Sequence, residues 1–133
     1  MNILAFDTST ETLSIALSAN GQRYAHHSEG GAKASKSLLG HIHVLLTQAQ
    51  LRVADLNLIA FGAGPGSFTG LRTACAAAQG LAYAYQIPVL PISCLLATAQ
   101  QALNQTQASH IQVVLDARMS EVYSGQYEFK NNL

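Results

Sequence analysis

Three segments at the start of the chain have the polar and apolar patterns of strands. Residues 2–7 (NILAFD) are a short apolar run, and residues 12–19 (TLSIALSA) alternate polar and apolar positions, as a strand with one buried face does. Asn20-Gly21 follows, a dipeptide typical of two-residue hairpin turns, and residues 22–29 (QRYAHHSE) then predict a third strand. We expect the chain to open as a three-stranded antiparallel meander.

The middle of the chain alternates helices and strands. SLLGHIHVLLTQAQL has apolar residues at helical spacing, and Ser35 or Ser37 is a candidate N-cap. Residues 56–64 predict a buried strand, and FTGLRTACAAAQGLAYAYQ predicts a second helix capped by Ser67 or Thr69. IPVLPIS then predicts a short strand, and CLLATAQQALNQ a third helix. This order after a meander predicts a mixed α/β fold whose sheet is partly parallel.

The end of the chain repeats its beginning. ILAFD (residues 3–7) aligns with QVVLD (112–116), and TETLS (10–14) aligns with SEVYS (120–124), with one residue inserted in the second turn. An apolar strand, an aspartate, a polar turn and an alternating strand therefore occur twice. We interpret the repeat as the first hairpin of a duplicated domain.

This interpretation divides the chain into residues 1–107, one domain, and residues 108–133, the truncated opening of a second. The hairpin 110–128 has no sheet of its own, and an isolated hairpin is marginally stable in water. We therefore expect it to add to another chain or to pack on the first domain.

Composition narrows the class of protein. The chain is 49% apolar and 11% charged, which is typical of a globular domain. Seven basic residues balance seven acidic ones, whereas nucleic-acid binding usually requires a basic excess. Cys75 and Cys94 show no CxxC pattern and predict reduced, buried cysteines in a cytosolic protein. The start lacks signal-peptide features, and no apolar run approaches the roughly 20 residues of a membrane span.

The turn after the first strand is a candidate nucleotide site. Asp7, Thr8 and Ser9 could hold Mg²⁺ and a phosphate through a carboxylate, hydroxyls and backbone N–H groups, or they could form a structural turn. Asp116 occupies the equivalent turn of the repeat. In a duplicated nucleotide-binding fold the two turns would face each other across a cleft, which could bind ATP or ADP weakly with Mg²⁺.

The segment GAGPGSFTGLR (residues 62–72) could be a phosphate-binding loop or a turn into a helix. It lacks Gly-Lys-[Ser/Thr], and Ser67 stands where a GxGxxG motif beginning at Gly62 needs its last glycine. The following helix carries small residues at spacings of three or four, which allow a second helix or a sheet to come close. We interpret the loop as a sharp turn into a helix that contacts another protein.

Catalytic residues are few. His41 and His43 lie two residues apart and make a poor metal pair on a helix, and His26-His27 alternate on a strand. The sequence shows no Ser-His-Asp order, no HExxH motif and no carboxylate pair placed for acid–base chemistry. We expect neither a catalytic centre nor a metal site.

Several motifs together resemble one family. MNILAFDTSTETLSIAL, GAGPGSFTGLRTACAAAQGLA, IPVLPISCL and VVLDARMSEVY are similar, in this order and spacing, to the TsaB (YeaZ) family. The resemblance covers essentially the whole chain but only the first part of a family member. It implies an actin-like (ASKHA, ribonuclease H-like) fold and a cytoplasmic role in making N6-threonylcarbamoyladenosine on tRNA.

The resemblance also implies that other subunits carry out the catalysis. In that family TsaB is not the catalyst: it pairs with its paralogue TsaD, the threonylcarbamoyl transferase, and with the ATPase TsaE, while TsaC makes the threonylcarbamoyl-adenylate. TsaD-like proteins carry an HHxExH metal motif just after the strand that IPVLPI resembles. This chain reads SCLLAT (residues 93–98) there, without a histidine or carboxylate, so a scaffold is favoured over an enzyme.

The family's subunit contact corresponds to residues 35–51 and 68–86. These helices would meet TsaD in a four-helix bundle, or a second TsaB in a homodimer, and tRNA would be reached only through the complex, away from any membrane. The predicted interface residues are Leu38, Ile42, Leu45, Leu46, Gly70, Ala74, Ala77, Ala78 and Leu81.

The residues leave two other functions open. A nucleotide-dependent enzyme of the actin-like superfamily would use Asp7, Thr8 and Asp116 around Mg-ATP, but its cleft needs both halves of the duplicated fold. A metalloprotease-like protein is less favoured, because no histidine pair has metal-ligand spacing.

Overall fold

A computed structural model describes residues 1–130. The strands are β1 (Ile3–Asp7), β2 (Thr12–Ala19), β3 (Gln22–Glu29), β4 (Leu58–Gly62), β5 (Val89–Ile92), β6 (His110–Arg118) and β7 (Glu121–Glu128). The α-helices are α1 (Ala34–Gln48), α2 (Phe68–Tyr85) and α3 (Cys94–Thr106), and short 3₁₀ turns occupy Gly31–Lys33 and Val53–Asp55.

Five strands form a mixed sheet in the order β3-β2-β1-β4-β5. The pairs β1–β2 and β2–β3 are antiparallel, and β4 pairs in parallel with both β1 and β5. Asn20 and Gly21 join β2 to β3 with φ angles of 53° and 75°, as a type I′ hairpin turn requires. The predicted meander and the partly parallel sheet are confirmed.

Helices α1 and α2 cover one face of this sheet. Helix α1 packs on β2 and β3, and α2 packs on β1 and β4. The alternating apolar residues of the strands point toward these helices and meet their buried sides. The largest fully buried apolar side chains of this core are Leu4, Leu13, Ile15, Leu17, Leu38, Ile42 and Ile59.

The predicted N-cap is confirmed for α2 and is wrong for α1. Ser67 caps α2 and accepts a hydrogen bond from the N–H of Gly70, as predicted. The prediction for α1 was wrong, because the 3₁₀ turn Gly31–Lys33 runs directly into the helix and puts Lys33 at the N-cap, leaving Ser35 and Ser37 inside. No helix within residues 1–130 is long and apolar enough to cross a membrane.

The C-terminal hairpin forms a separate two-stranded sheet. Strands β6 and β7 pair with each other and pack against α3. Their register shifts between Asp116 and Arg118, where the sequence repeat has its extra residue. The structure therefore shows the hairpin packed on the first domain, which is one of the two predicted alternatives. That residues 108–133 open a second, duplicated domain stays a prediction.

Two histidines stack between the edge strand β3 and helix α1. The ring centroids of His26 and His41 lie 3.8 Å apart, with 23° between the ring planes. Within residues 1–130, the buried Nε2 of His26 has no hydrogen-bond partner. Partial burial, together with the nearby His41 and His27, lowers the pKa of His26, since the ring loses some of its solvent and lies beside two other imidazoles.

This lowered pKa predicts that acid destabilises the fold. The unfolded chain binds a proton at His26 near pH 6.5 and the folded chain does so only at lower pH, so the contribution of His26 is present above pH 6.5 and is lost as the pH falls. Urea unfolding followed by circular dichroism should give a lower free energy of unfolding at pH 5.5 than at pH 7.5. His26→Gln should reduce this difference, whereas the exposed His43→Gln should leave it; an unchanged difference in His26→Gln would contradict the assignment.

Candidate functional site

The turn after β1 is held by its own side chains. The backbone N–H and the hydroxyl of Ser9 donate to Oδ1 of Asp7, at 2.8 and 2.6 Å. The hydroxyl of Thr8 is buried and donates to the carbonyl of Gly70 in α2. Thr8 and Ser9 are almost fully buried, and their polar atoms are already paired within the protein.

Glycines of the segment 62–72 pack closely against this turn. A Cβ atom at Gly62 would collide with the Asp7 carboxylate, one at Gly66 with Ser9, and one at Gly70 with the carbonyl of Thr8. The N–H of Ser67 also donates to the carbonyl of Ser9, at 2.7 Å. The loop therefore encloses a segment of this chain itself, which agrees with its interpretation as a turn into α2.

Helix α3 reaches the same turn through Cys94. The Cys94 thiol lies 3.4 Å from Oδ2 of Asp7 and 3.6 Å from the Ser9 hydroxyl, and its backbone N–H donates to the carbonyl of Gly64. Burial raises the pKa of the Cys94 thiol, and the negative charge of Asp7 adds to this. Cys94 is thus a neutral thiol that packs on the aspartate, in agreement with its prediction as a buried, reduced cysteine.

The two predicted turns line one cavity. A cavity of about 860 Å³ lies between the first sheet and the hairpin. Asp7 and Ser9 line it from one side, and Asp116 lines it from the other. The structure therefore brings together the turns that the repeat relates, although the buried Thr8 does not line the cavity. Binding of a nucleotide by Asp7, Thr8, Ser9 and Asp116 stays a prediction.

A smaller cavity continues from the first across the sheet face. It has a volume of about 250 Å³ and shares Asp7, Ser14, Cys94 and Ala97 with the larger one. Its floor is a row of alanines that pair in register across four strands: Ala25, Ala16, Ala5 and Ala60. Within residues 1–130, no group of three or more metal-ligating side chains is found near either cavity or elsewhere.

The predicted interface residues need correction. Leu38, Ile42, Leu45, Leu46, Gly70, Ala74 and Ala78 are buried in the chain's own core, and Ala77 and Leu81 pack partly against it. The apolar side of each helix packs on the sheet, so these side chains are not available to a second protein. A contact through α1 and α2 stays a prediction, but the outer sides of the helices must form it.

The outer sides carry a signal that the sequence analysis missed. Gly40 in α1 and Gly80 in α2 are exposed, and a Cβ atom at either would meet nothing within 4 Å. Exposed apolar side chains accompany them: Leu39 and Val44 on α1, and Tyr83 on α2, which is 91% exposed. The mid-helix glycines themselves are visible in the sequence, but only the structure shows that neither has an internal packing partner.

Comparison with known proteins identifies the family. A family model described as "TsaD: tRNA N6-adenosine threonylcarbamoyltransferase" matches residues 15–133. The structure called "YeaZ from Pseudomonas aeruginosa" matches with a TM-score of 0.91 at 41% identity, over 98% of this chain. The chain belongs to the TsaB (YeaZ) family. The fold is accordingly the actin-like, ribonuclease H-like fold that the resemblance implied.

Curated TsaB proteins are similar in sequence to nearly the whole of this chain. The "tRNA threonylcarbamoyladenosine biosynthesis protein TsaB" of Haemophilus influenzae is 41% identical over 126 residues, covering 95% of this chain. The protein of the same name in Escherichia coli is 38% identical over 132 residues, covering 99% of it. This chain spans only 53% and 57% of those two TsaB proteins, and 61% of the Pseudomonas YeaZ chain.

The contact between the turn and α2 yields a matched pair of substitutions in one helix. Gly70→Ala should lower the free energy of unfolding by about 1–3 kcal/mol, because the new Cβ must displace the carbonyl of Thr8. Gly80→Ala should raise it by about 0.5–1 kcal/mol, since alanine favours the helix and meets open space. Urea denaturation measures both, and equal stabilities for the two variants would refute the contact.

Proposed function

We propose that this chain is a non-catalytic partner subunit that binds a TsaD-type transferase in the biosynthesis of threonylcarbamoyladenosine on tRNA. Its membership of the TsaB family supports a role in this process, since its curated relatives are named for it. The observation that carries the proposal is the outer side of α1 and α2, where Gly40 and Gly80 lie among exposed apolar side chains.

The glycines support a helix-to-helix contact. A glycine inside a helix costs about 0.5–1 kcal/mol relative to alanine. Neither Gly40 nor Gly80 has a neighbour that forbids a side chain, and neither has a positive φ, so the fold of this chain does not require glycine there. A bare Cα allows another backbone to come close, and Leu39, Val44 and Tyr83 supply apolar area around the contact.

The turn after β1 supports a structural role more than a catalytic one. Asp7 accepts hydrogen bonds from Ser9 and from the Cys94 thiol, and the Thr8 hydroxyl is committed to α2. A group that is already paired inside the protein must break these contacts before it can act on a substrate. The proposed subunit therefore supplies a surface, and its partner supplies the catalytic groups.

The proposed partners are proteins, and RNA is reached through them. The TsaD-type paralogue binds the outer sides of α1 and α2, and a second copy of this chain occupies the same surface when the paralogue is absent. A TsaE-type ATPase joins the resulting complex in the cytoplasm. The tRNA is reached only through the complex, since this chain has seven basic and seven acidic residues and no basic excess to attract RNA.

Bulky side chains at the two glycines test the surface. Gly40→Leu and Gly80→Leu should each weaken binding to the TsaD-type protein of the same genome at least about tenfold, because leucine holds the helices apart. Gel filtration of mixtures and calorimetry measure the complex. Gln105→Leu, an exposed position at the end of α3, is the control and should bind as the unchanged chain does.

Both leucine variants should keep their circular dichroism and lose no thermal stability, because leucine favours the helix and has open space. Undiminished binding by the two variants, or no binding by the unchanged chain, would overturn the proposal.

A further inference from the structure

Strand β3 forms one edge of the five-stranded sheet and has no protection against pairing there. It has β2 on one side and, within residues 1–130, no strand on the other. Edge strands usually avoid pairing with another chain by being short or by carrying proline, lysine or a bulge. The opposite edge, β5, has four residues including Pro91. Strand β3 has eight residues without proline or lysine, and its register with β2 is unbroken, so this edge can accept a further strand.

The register of the β2–β3 hairpin shows which residues of β3 direct their backbone groups outward. Ala19 pairs with Gln22 across the two-residue turn, so Gln22 and every second residue after it exchange hydrogen bonds with β2. The N–H of Gly30 donates to the carbonyl of Glu11 at 2.7 Å, which continues the same alternation. The N–H and C=O groups that point away from β2 therefore belong to Arg23, Ala25, His27 and Glu29.

Two antiparallel copies of β3 match best when His26 lies on the two-fold axis. Antiparallel strands exchange hydrogen bonds between directly opposed residues, so the outward groups of one copy must face those of the other. Centring the pair on His26 sets Arg23 opposite Glu29 and Ala25 opposite His27, which gives every outward residue of the strand an opposite residue. Centring the pair on Ala25 or on His27 leaves one outward residue at the end of the strand without an opposite residue.

The register centred on His26 also brings opposite charges together. Apart from its histidines, β3 has two charged residues, Arg23 and Glu29, and both are exposed. In the symmetric pair each arginine stands opposite the glutamate of the other copy, so the favourable contact is made twice. Arg23 takes part in none of the salt bridges found within residues 1–130, and Glu29 contacts the exposed Lys33 at 3.2 Å. The strand is therefore complementary in charge to its own copy.

We propose that β3 pairs antiparallel with β3 of a second copy of this chain, centred on His26, so that the two sheets become continuous. The outward backbone groups supply the hydrogen bonds, and the arginine–glutamate contacts fix the register. This surface is distinct from the outer sides of α1 and α2. A chain paired through β3 can therefore still bind the proposed transferase, and either contact can fail without the other.

A proline on the outward side of β3 tests the backbone pairing. Sedimentation velocity of the 133-residue chain over a range of concentrations should show a dimer. Ala25→Pro should weaken this dimer at least about tenfold, because it removes an N–H that the second copy needs. That N–H does not serve β2, so the variant should keep the circular dichroism of the unchanged chain. Ala25→Ser keeps the N–H and is the matched control, which should dimerise normally.

Charge reversal tests the register and shows whether the contact joins two chains. Arg23→Glu and Glu29→Arg should each weaken the dimer on the order of tenfold, because like charges then oppose each other twice. An equimolar mixture of the two variants should recover the dimer, since each arginine then faces a glutamate of the other chain. A role of either residue within its own chain would not give this recovery.

Three results would overturn the proposal: a chain that stays monomeric, a dimer that Ala25→Pro leaves unchanged, or charge-reversed variants that do not recover on mixing. Gly80→Leu distinguishes the two surfaces. A dimer that survives Gly80→Leu and is lost in Ala25→Pro supports pairing through β3. A dimer that is lost in Gly80→Leu and survives Ala25→Pro belongs to the outer sides of α1 and α2, which contradicts pairing through β3 and leaves the proposed function intact.

Discussion

The arrangement of this protein depends on the close contact between the turn after β1 and the start of α2. The Thr8 hydroxyl donates to the carbonyl of Gly70, and the Thr8 carbonyl occupies the space where a side chain at Gly70 would stand. The contact joins residues 62 positions apart and is buried from solvent. It therefore fixes the direction in which α2 leaves β4, and with it the side of α2 that packs on the sheet.

The same turn also fixes the position of α3 and the shape of the large cavity. Cys94, the first residue of α3, packs on Asp7 and Ser9 and donates its N–H to the carbonyl of Gly64. Because α3 carries the β6–β7 hairpin against its surface, the hairpin is placed relative to Asp7 through this contact. The cavity between the turns thus follows from a few buried hydrogen bonds, and its lining carboxylates are partly structural.

Much of the fold could be predicted because its signals are local. The alternation of residues 12–19 and the Asn20-Gly21 turn specify a strand and a hairpin without reference to distant residues, and the strand bounds agree with the structure. The α1 start was mispredicted because a backbone 3₁₀ turn replaced the side-chain cap. The stacking of His26 on His41 could not be foreseen, since it depends on how α1 crosses β3.

The candidate site shows why composition alone misleads about small residues. Gly70 and Ala74 were read as a surface for another protein, yet they are small because this chain's own turn and sheet approach them closely. Gly80 belongs to the same helix and the same composition signal, but it faces open space. The two cases differ only in what lies opposite the Cα atom, which no spacing rule reports. A small residue indicates an intermolecular contact only after the internal reasons for its size have been removed, and in this chain that condition selects Gly40 and Gly80.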